Sequence, residues 1–264
     1  MKLICLVKFV PDVEDFKYDV TRNVLIRENV KMILNPDDAC ALAFCLKVKE
    51  KDPATFVEIV SMAPTSILGQ LEDLLRRNFD QATLISDRMY VGSDTYVTSR
   101  ILARYLEGNT FDCILTGTHS LDGDTSHVPS QVGEVLHLHQ ISNIIRIEET
   151  QFLSGCPVVD VDSEKLISTY RVGLPAILSL SKESKYKLPF VKFKNLDLDV
   201  SANIRIVTNR ELGFQADEVG LEGSLTQVAR SFTKNMQKED RIFVKTDDEG
   251  IDTVYDFLKA KGFI

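Results

Sequence analysis

Cys113-Ile114-Leu115-Thr116, continued by Gly117-Thr118-His119-Ser120-Leu121-Asp122-Gly123-Asp124-Thr125-Ser126-His127-Val128-Pro129-Ser130-Gln131-Val132-Gly133, reads as a short apolar strand, a polar loop and a helix starting near Pro129. A strand apolar on consecutive residues is one covered on both faces, which is the habit of parallel sheets. The loop therefore lies at the carboxyl end of a parallel strand, the edge where open α/β sheets bind ligands.

The same alternation extends outward. β-rich runs at 2–9, 55–61, 81–86 and 140–147 are separated by segments of helical period, the pattern of strand-helix units around a parallel sheet. Residues 66–77 put Ile67, Leu68, Leu71, Leu74 and Leu75 on one stripe, with Glu72, Asp73, Arg76 and Arg77 outside it. Residues 94–106 carry Val97, Ile101 and Tyr105 at four-residue steps, and a helix over 37–50 follows Asn35-Pro36. Beyond 147 the pattern turns to added strands at 158–161, 166–172 and 175–180. The stretch 181–194 is charged and irregular and reads as an exposed loop or arm, 197–232 has few helical stripes, and 250–263 is a final amphipathic helix with Ile251, Val254, Phe257 and Leu258. The expected organisation is an α/β nucleotide-binding domain with extra β-strands over 1–181, then a recognition loop and C-terminal arm with a terminal helix over 182–264.

Composition bounds the function. The chain has 264 residues and a net charge of −8, with 27% charged and 44% hydrophobic residues, ordinary values for a globular protein. No basic run suits a nucleic-acid backbone, and no apolar stretch approaches the roughly 20 residues of a membrane helix, so neither nucleic acid nor membrane insertion is expected. The N-terminal apolar run is too short for a signal peptide. Cys5, Cys40, Cys45, Cys113 and Cys156 are odd in number and mostly sit in apolar segments, which fits buried thiols in a reducing cytoplasm.

Backbone N–H groups at a helix start, beside the hydroxyls of Thr125, Ser126 and Ser130, make an acceptor site for a phosphate. The same composition also describes an ordinary strand-to-helix turn rich in capping residues. Asp122 and Asp124 would repel a bare phosphate and are expected to cap turns or meet ribose hydroxyls. No GxGxxG follows the first strand and no GxxxxGK[ST] occurs, so a phosphate site here is of another type. His119 and His127 flank the two aspartates, but no third remote ligand is evident and no metal is expected; no GxSxG elbow supports a hydrolytic triad. A second loop, Asp87-Arg88-Met89-Tyr90-Val91-Gly92-Ser93-Asp94-Thr95, also follows a strand, and Ser93 or Asp94 can cap the next helix.

Several ordered pieces resemble the β subunit of electron transfer flavoproteins: Lys8-Phe9-Val10-Pro11-Asp12, Asn35-Pro36-Asp37-Asp38, Val60-Ser61-Met62-Ala63-Pro64, Asp87-Arg88 with Gly92-Ser93-Asp94-Thr95, Asp122-Gly123-Asp124-Thr125, Leu174-Pro175-Ala176, and Gly220-Leu221-Glu222-Gly223-Ser224-Leu225-Thr226-Gln227-Val228. The resemblance implies a fold of the adenine nucleotide alpha hydrolase type and a heterodimer with an α subunit that carries FAD. It also implies a nucleotide in this chain's own site, AMP in simple carriers and FAD in electron-bifurcating members. The Asp-Gly-Asp-Thr form is similar to the anaerobe-type, bifurcating branch, which favours FAD here, with NAD(H) approaching near Gly92, Ser93, Asp94 and Thr95. The implied nucleotide contacts are Leu6, Asn35, Pro36, Asp37, Asp38, Met62, Asp122, Gly123, Asp124, Thr125, His127, Val128, Ser130, Gln131, Val132 and Gly133. No catalytic residue is implied; the work is electron relay between a flavin-dependent dehydrogenase, or NADH, and an acceptor, with the loop over 184–193 meeting the dehydrogenase. The chain departs from the family pattern at Thr118, His119, His127 and Pro129. The competing readings are an adenine-nucleotide enzyme or sensor on the same fold, and a degenerate structural subunit.

Overall fold

The computed structural model describes residues 1–12, 17–19, 24–26, 31–226 and 243–263. The chain divides into two compact units, Met1–Gln227 and Val228–Ile264.

The first unit is built on a sheet of nine strands in the order β11-β10-β9-β12-β8-β1-β6-β7-β13. In chain order these are β1 (Lys2–Leu6), β6 (Phe56–Met62), β7 (Gln81–Ile85), β8 (Cys113–Gly117), β9 (His139–Ile147), β10 (Val158–Asp162), β11 (Ile167–Arg171), β12 (Ala176–Leu180) and β13 (Ile204–Val207). Short antiparallel pairs, β2 (Phe9–Pro11) with β5 (Met32–Leu34) and β3 (Lys17–Asp19) with β4 (Val24–Ile26), stand apart from it. Every pairing from β9 across to β13 is parallel, whereas β10 runs antiparallel to both β9 and β11. Strands β8 and β12 are buried at every position, as a sheet covered on both faces requires.

One face packs Leu3, Cys5, Val57 and Leu115 under α1 (Pro36–Lys51), α2 (Leu68–Leu75) and Phe152 of α5 (Glu149–Leu153). The other packs Ile4, Val60, Ile114 and Ile177 under α3 (Thr95–Glu107) and α4 (His127–Val135). Cys5, Cys40, Cys45 and Cys113 are buried free thiols within the first of these layers.

The expected strands and helices are present with shifted ends. The run over 2–9 leaves the sheet after Leu6, because Lys8 N–H is taken by the Asp38 carboxylate and the chain then turns to pair β2 with β5. The helix over 66–77 opens with a 3₁₀ turn, Thr65–Ile67, and ends at Leu75. Edge strand β13 and the short α6 (Asn209–Leu212) and α7 (Gly220–Gly223) fall where the pattern showed no element; four residues are too few for a period to be visible. Part of the 197–232 stretch, including Gln227 and Val228 of the motif quoted above, lies outside the described residues.

The charged stretch after β12 contains only 3₁₀ turns, Lys182–Ser184 and Phe193–Asn195. It is anchored at two points. Tyr186 packs its ring, tilted by 53°, against Phe44 with centroids 5.6 Å apart and its hydroxyl bonds the backbone of Ile147, while Asn195 Nδ2 donates to Arg76 O at 2.9 Å. Between these anchors Phe190 and Phe193 are 92% and 91% exposed.

In the second unit α8 (Asp248–Ala260) is N-capped by Asp247, whose carboxylate accepts Gly250 N–H at 2.9 Å. Ile251, Val254, Tyr255 and Phe257 of this helix are exposed. No described helix is long and apolar enough to cross a membrane.

Candidate functional site

The strand order reverses between β1 and β8. From β1 the chain passes through α1 to β6 on one side, and from β8 it passes through α4 to β9 on the other. Connections that diverge leave a crevice above the carboxyl ends of the two strands, and there open α/β sheets take their ligands. A cavity of about 430 Å³ occupies that place, within the roughly 300–1,000 Å³ range of small-molecule sites. Its floor is Leu6, Val60 and Met62; Thr95, Thr98 and Leu102 of α3 and His127, Val128 and Pro129 of α4 form one wall, and Lys8 with residues 116–120 the other.

The tetrad Asn35-Pro36-Asp37-Asp38 ties this crevice together. Asn35 precedes α1, where a side-chain cap is expected, yet its side chain makes no cap. Its Nδ2 instead donates to His119 O at 2.7 Å and its Oδ1 accepts Leu121 N–H at 3.2 Å. Asp38 accepts Lys8 N–H at 2.7 Å and Gly117 N–H at 2.9 Å, joining the ends of β1 and β8. Asp37 accepts Lys182 N–H at 3.0 Å and His119 N–H at 3.3 Å, joining the segments after β12 and β8. All three polar side chains are buried. Burial pushes the Asp38 carboxyl up to about 7, against the opposing pull of the Lys8 and Gly117 N–H groups.

The loop after β8 is braced by Lys8, whose ammonium sits 2.7 Å from Asp122. Burial works to raise the Asp122 carboxyl, but the Lys8 ammonium and the Ser120 hydroxyl prevail and hold it below the usual carboxylate range. Asp124 (φ 47°) and Ser126 (φ 55°) both lie in the left-handed region, which is uncommon for residues with a Cβ. Ser126 is the residue before α4 and makes no side-chain cap.

Two helices thus begin at the cavity with different electrostatics. The first turn of α3 is closed by its own carboxylate, since Asp94 accepts Val97 N–H at 3.0 Å. The start of α4 has no such cap, and Pro129 leaves the amides of His127 and Val128 as its leading donors. Of the two, only α4 offers uncompensated positive dipole to an anion.

The expected contacts separate accordingly. Leu6, Asn35, Asp38, Met62, Gly123, Thr125, His127 and Val128 line the cavity. Pro36, Asp37, Asp122, Asp124, Ser130, Gln131, Val132 and Gly133 do not: Asp37 and Asp122 brace the loops, Gln131 accepts Ser99 Oγ–H at 2.9 Å between α4 and α3, and Val132 is core. Gly92, Ser93, Asp94 and Thr95 line the same cavity, but two of their side chains are engaged. Ser93 Oγ donates to Tyr90 O and accepts Gly220 N–H, and Asp94 accepts both the N–H and the hydroxyl of Thr226. The Gly220–Thr226 motif therefore serves to seat this stretch on the second loop; Gly220 has φ 63° and lies against the carbonyls of Met89 and Val91.

Thr116, Gly117, Thr118, His119 and Ser120 belong to the stretch quoted first and are cavity wall, although the expected contacts did not include them. The available signal was position alone, the residues ending and directly following a buried strand at a reversal of strand order. Among the described residues no group of three or more side chains is placed to hold a metal ion.

The family described as electron transfer flavoprotein domain matches residues 22–184. An electron transfer flavoprotein subunit beta from Thermoanaerobacterium thermosaccharolyticum is 30% identical over 268 residues, covering 100% of both chains. The caffeyl-CoA reductase-Etf complex subunit CarD of Acetobacterium woodii is 32% identical over 236 residues, covering 88% of each. Protein FixA of Azotobacter vinelandii is 25% identical over 268 residues, covering 100% of this chain and 95% of its own.

Proposed function

Because the chain belongs to the electron transfer flavoprotein family, as a β subunit, we propose that its cavity holds the adenylate portion of an FAD and that it works beside an α subunit carrying a second FAD. The observation that carries the cofactor reading is the uncapped start of α4 facing a cavity of about 430 Å³ at the β1/β8 crevice, while the neighbouring α3 carries its own carboxylate. A phosphate supplies what α4 lacks. A more open hollow of about 550 Å³ adjoins the cavity and shares Met62 and Tyr90 with it, which gives a dinucleotide larger than AMP room to continue.

Bound flavin supplies the electron-accepting and electron-donating chemistry; the protein supplies placement and electrostatics. Leu6, Val60 and Met62 exclude water from the floor, and the His127 and Val128 amides with the Thr125 hydroxyl meet the phosphate. For NAD(H), the second loop offers Gly92 backbone and Thr95, since Ser93 and Asp94 are already committed. In this reading residues 1–181 hold the nucleotide and 182–264 dock other proteins. The exposed Phe190 and Phe193, between the Tyr186 and Asn195 anchors, support contact with a flavin-dependent dehydrogenase. The name of the Acetobacterium woodii relative, a subunit of a reductase-Etf complex, supports such an assembly. Buried free thiols fit a cytoplasmic location.

The test is to co-express the chain with an FAD-carrying α-type polypeptide, denature the complex and quantify released nucleotides per heterodimer. Two FAD are expected. One FAD plus one AMP would keep the adenylate site and overturn the dinucleotide; one FAD alone would overturn the site.

A further inference from the structure

We infer that Ser224 and Thr226 are positioning residues of the nucleotide cavity: they hold its wall at Gly92, Ser93 and Asp94, so that filling the cavity and anchoring the segment from which the chain leaves the first unit favour one another. The inference rests on the adenylate reading of the cavity and adds a regulation of that site.

Gly92, Ser93 and Asp94 line the cavity but belong to no strand or helix; they lie between a 3₁₀ turn, Arg88–Tyr90, and the start of α3. Their footing comes from far along the chain, at a separation of 132 residues for Asp94 and Thr226. The Ser93 hydroxyl accepts Gly220 N–H at 3.2 Å. The buried Ser224 hydroxyl accepts Asp94 N–H at 2.9 Å and donates to Gly220 O at 2.7 Å, which ties the wall to the turn at Gly220. Asp94 divides its carboxylate. Oδ1 takes Val97 N–H at 3.0 Å and closes the first turn of α3, while Oδ2 takes the N–H and the hydroxyl of Thr226, each at 2.9 Å. One carboxylate thus fixes both Thr226 and the helix whose Thr95, Thr98 and Leu102 stand in the cavity.

The support is mutual. After Gly220 the segment has little apolar burial of its own, since Leu221 and Leu225 are 56% and 74% exposed and Thr226 is exposed. Polar contacts with the wall therefore hold it, and stretches held in that way open at far less cost than the whole fold. Gly220 sits so close to the second loop that a Cβ on it would lie 2.4 Å from Met89 O and 3.1 Å from Val91 O, so a shift of one stretch displaces the other. The first unit ends one residue after Thr226, at Gln227. A ligand that fills the cavity favours the latched wall, and by linkage the latched segment raises the affinity for that ligand by the same factor.

FAD is the probe, used on the full chain. Amide hydrogen exchange of the wild type, which needs no variant, is followed with and without saturating FAD in peptides covering 116–128 and 219–226. Both regions should slow, 219–226 by roughly fivefold or more although it is not cavity wall. FAD affinity is then compared for the wild type, Thr226→Val and Leu225→Ser. Thr226→Val removes the hydroxyl held by Asp94 and should bind FAD roughly fivefold more weakly. Leu225→Ser changes an exposed side chain of the same segment and should bind as the wild type does. Protection of 116–128 without any change at 219–226, unaltered affinity in Thr226→Val, or equal weakening in Leu225→Ser each overturns the positioning role while the adenylate site stands. Failure of FAD to bind the wild type or to protect 116–128 overturns the adenylate reading and this inference with it.

Discussion

Gly117 donates its N–H to Asp38 Oδ1 at 2.9 Å across a gap with no room for a side chain: a Cβ on Gly117 would lie 2.6 Å from Asp37 Cβ and 2.7 Å from the Asp38 backbone nitrogen. The start of α1 is thereby pressed against the end of β8, and the crevice above β1 and β8 takes its shape from that contact. Gly117→Ala should cost at least about 2 kcal/mol, since the obstructing atoms include backbone that cannot rotate away. Urea unfolding checks it; a change below about 0.5 kcal/mol would show that α1 can slide.

Asp38 predicts an unusual pH dependence. An unfolded aspartate has a pKa of about 3.9, whereas burial raises this one to about 7. The folded chain therefore binds more protons than the unfolded chain between those values. The contribution of Asp38 is full below about pH 4 and is lost as pH rises through 7. Unfolding free energy should fall by roughly 2–3 kcal/mol from pH 5 to pH 8 on this account, and Asp38→Asn should flatten the decline.

Asp94 runs the other way. Burial tends to raise its carboxyl, but the N–H groups of Val97 and Thr226 and the Thr226 hydroxyl prevail and hold it below the usual range. Its stabilisation is present above the unfolded pKa and is lost as pH falls through the depressed folded value. Asp94→Ala should cost about 1–2 kcal/mol as a lost helix cap. It should also release the segment around Thr226, read as faster limited proteolysis within 219–226. An unchanged cleavage pattern would mean that Ser224, which accepts Asp94 N–H at 2.9 Å, suffices to hold it.

The Tyr105 hydroxyl donates to Glu58 Oε1 at 2.5 Å inside the sheet-helix layer, where Glu58 is 1% exposed and also takes the Thr83 hydroxyl at 2.7 Å. Tyr105→Phe leaves a buried carboxylate short of one donor, a loss of about 1–3 kcal/mol. Lys2, 3.4 Å from Glu58 Oε2, limits the damage. Adding Lys2→Met to the same chain should therefore cost more than the two single changes combined, which a double-mutant cycle reads directly.

The strand-helix alternation and the loop after β8 were legible in the sequence because both depend on local pattern: continuous apolar runs mark strands covered on two faces, and period 3.6 marks the helices that cover them. The ordered motifs likewise pointed to the family before any geometry was known. Which motif residues face the cavity was not legible. Asp37 and Asp38 are neighbours in the chain, yet Asp38 joins β1 to β8 and lines the cavity while Asp37 joins β8 to the segment after β12. The Gly220–Thr226 motif likewise reaches its partner Asp94 over a separation of 132 residues at Thr226. Such roles are set by strand order, which brings together chain segments far apart in sequence, and by burial, which decides the acceptor a given N–H can reach. Neither leaves a periodic mark in the sequence; the crevice between β1 and β8, and the ring of His119 at its wall, exist only once the sheet has closed around them.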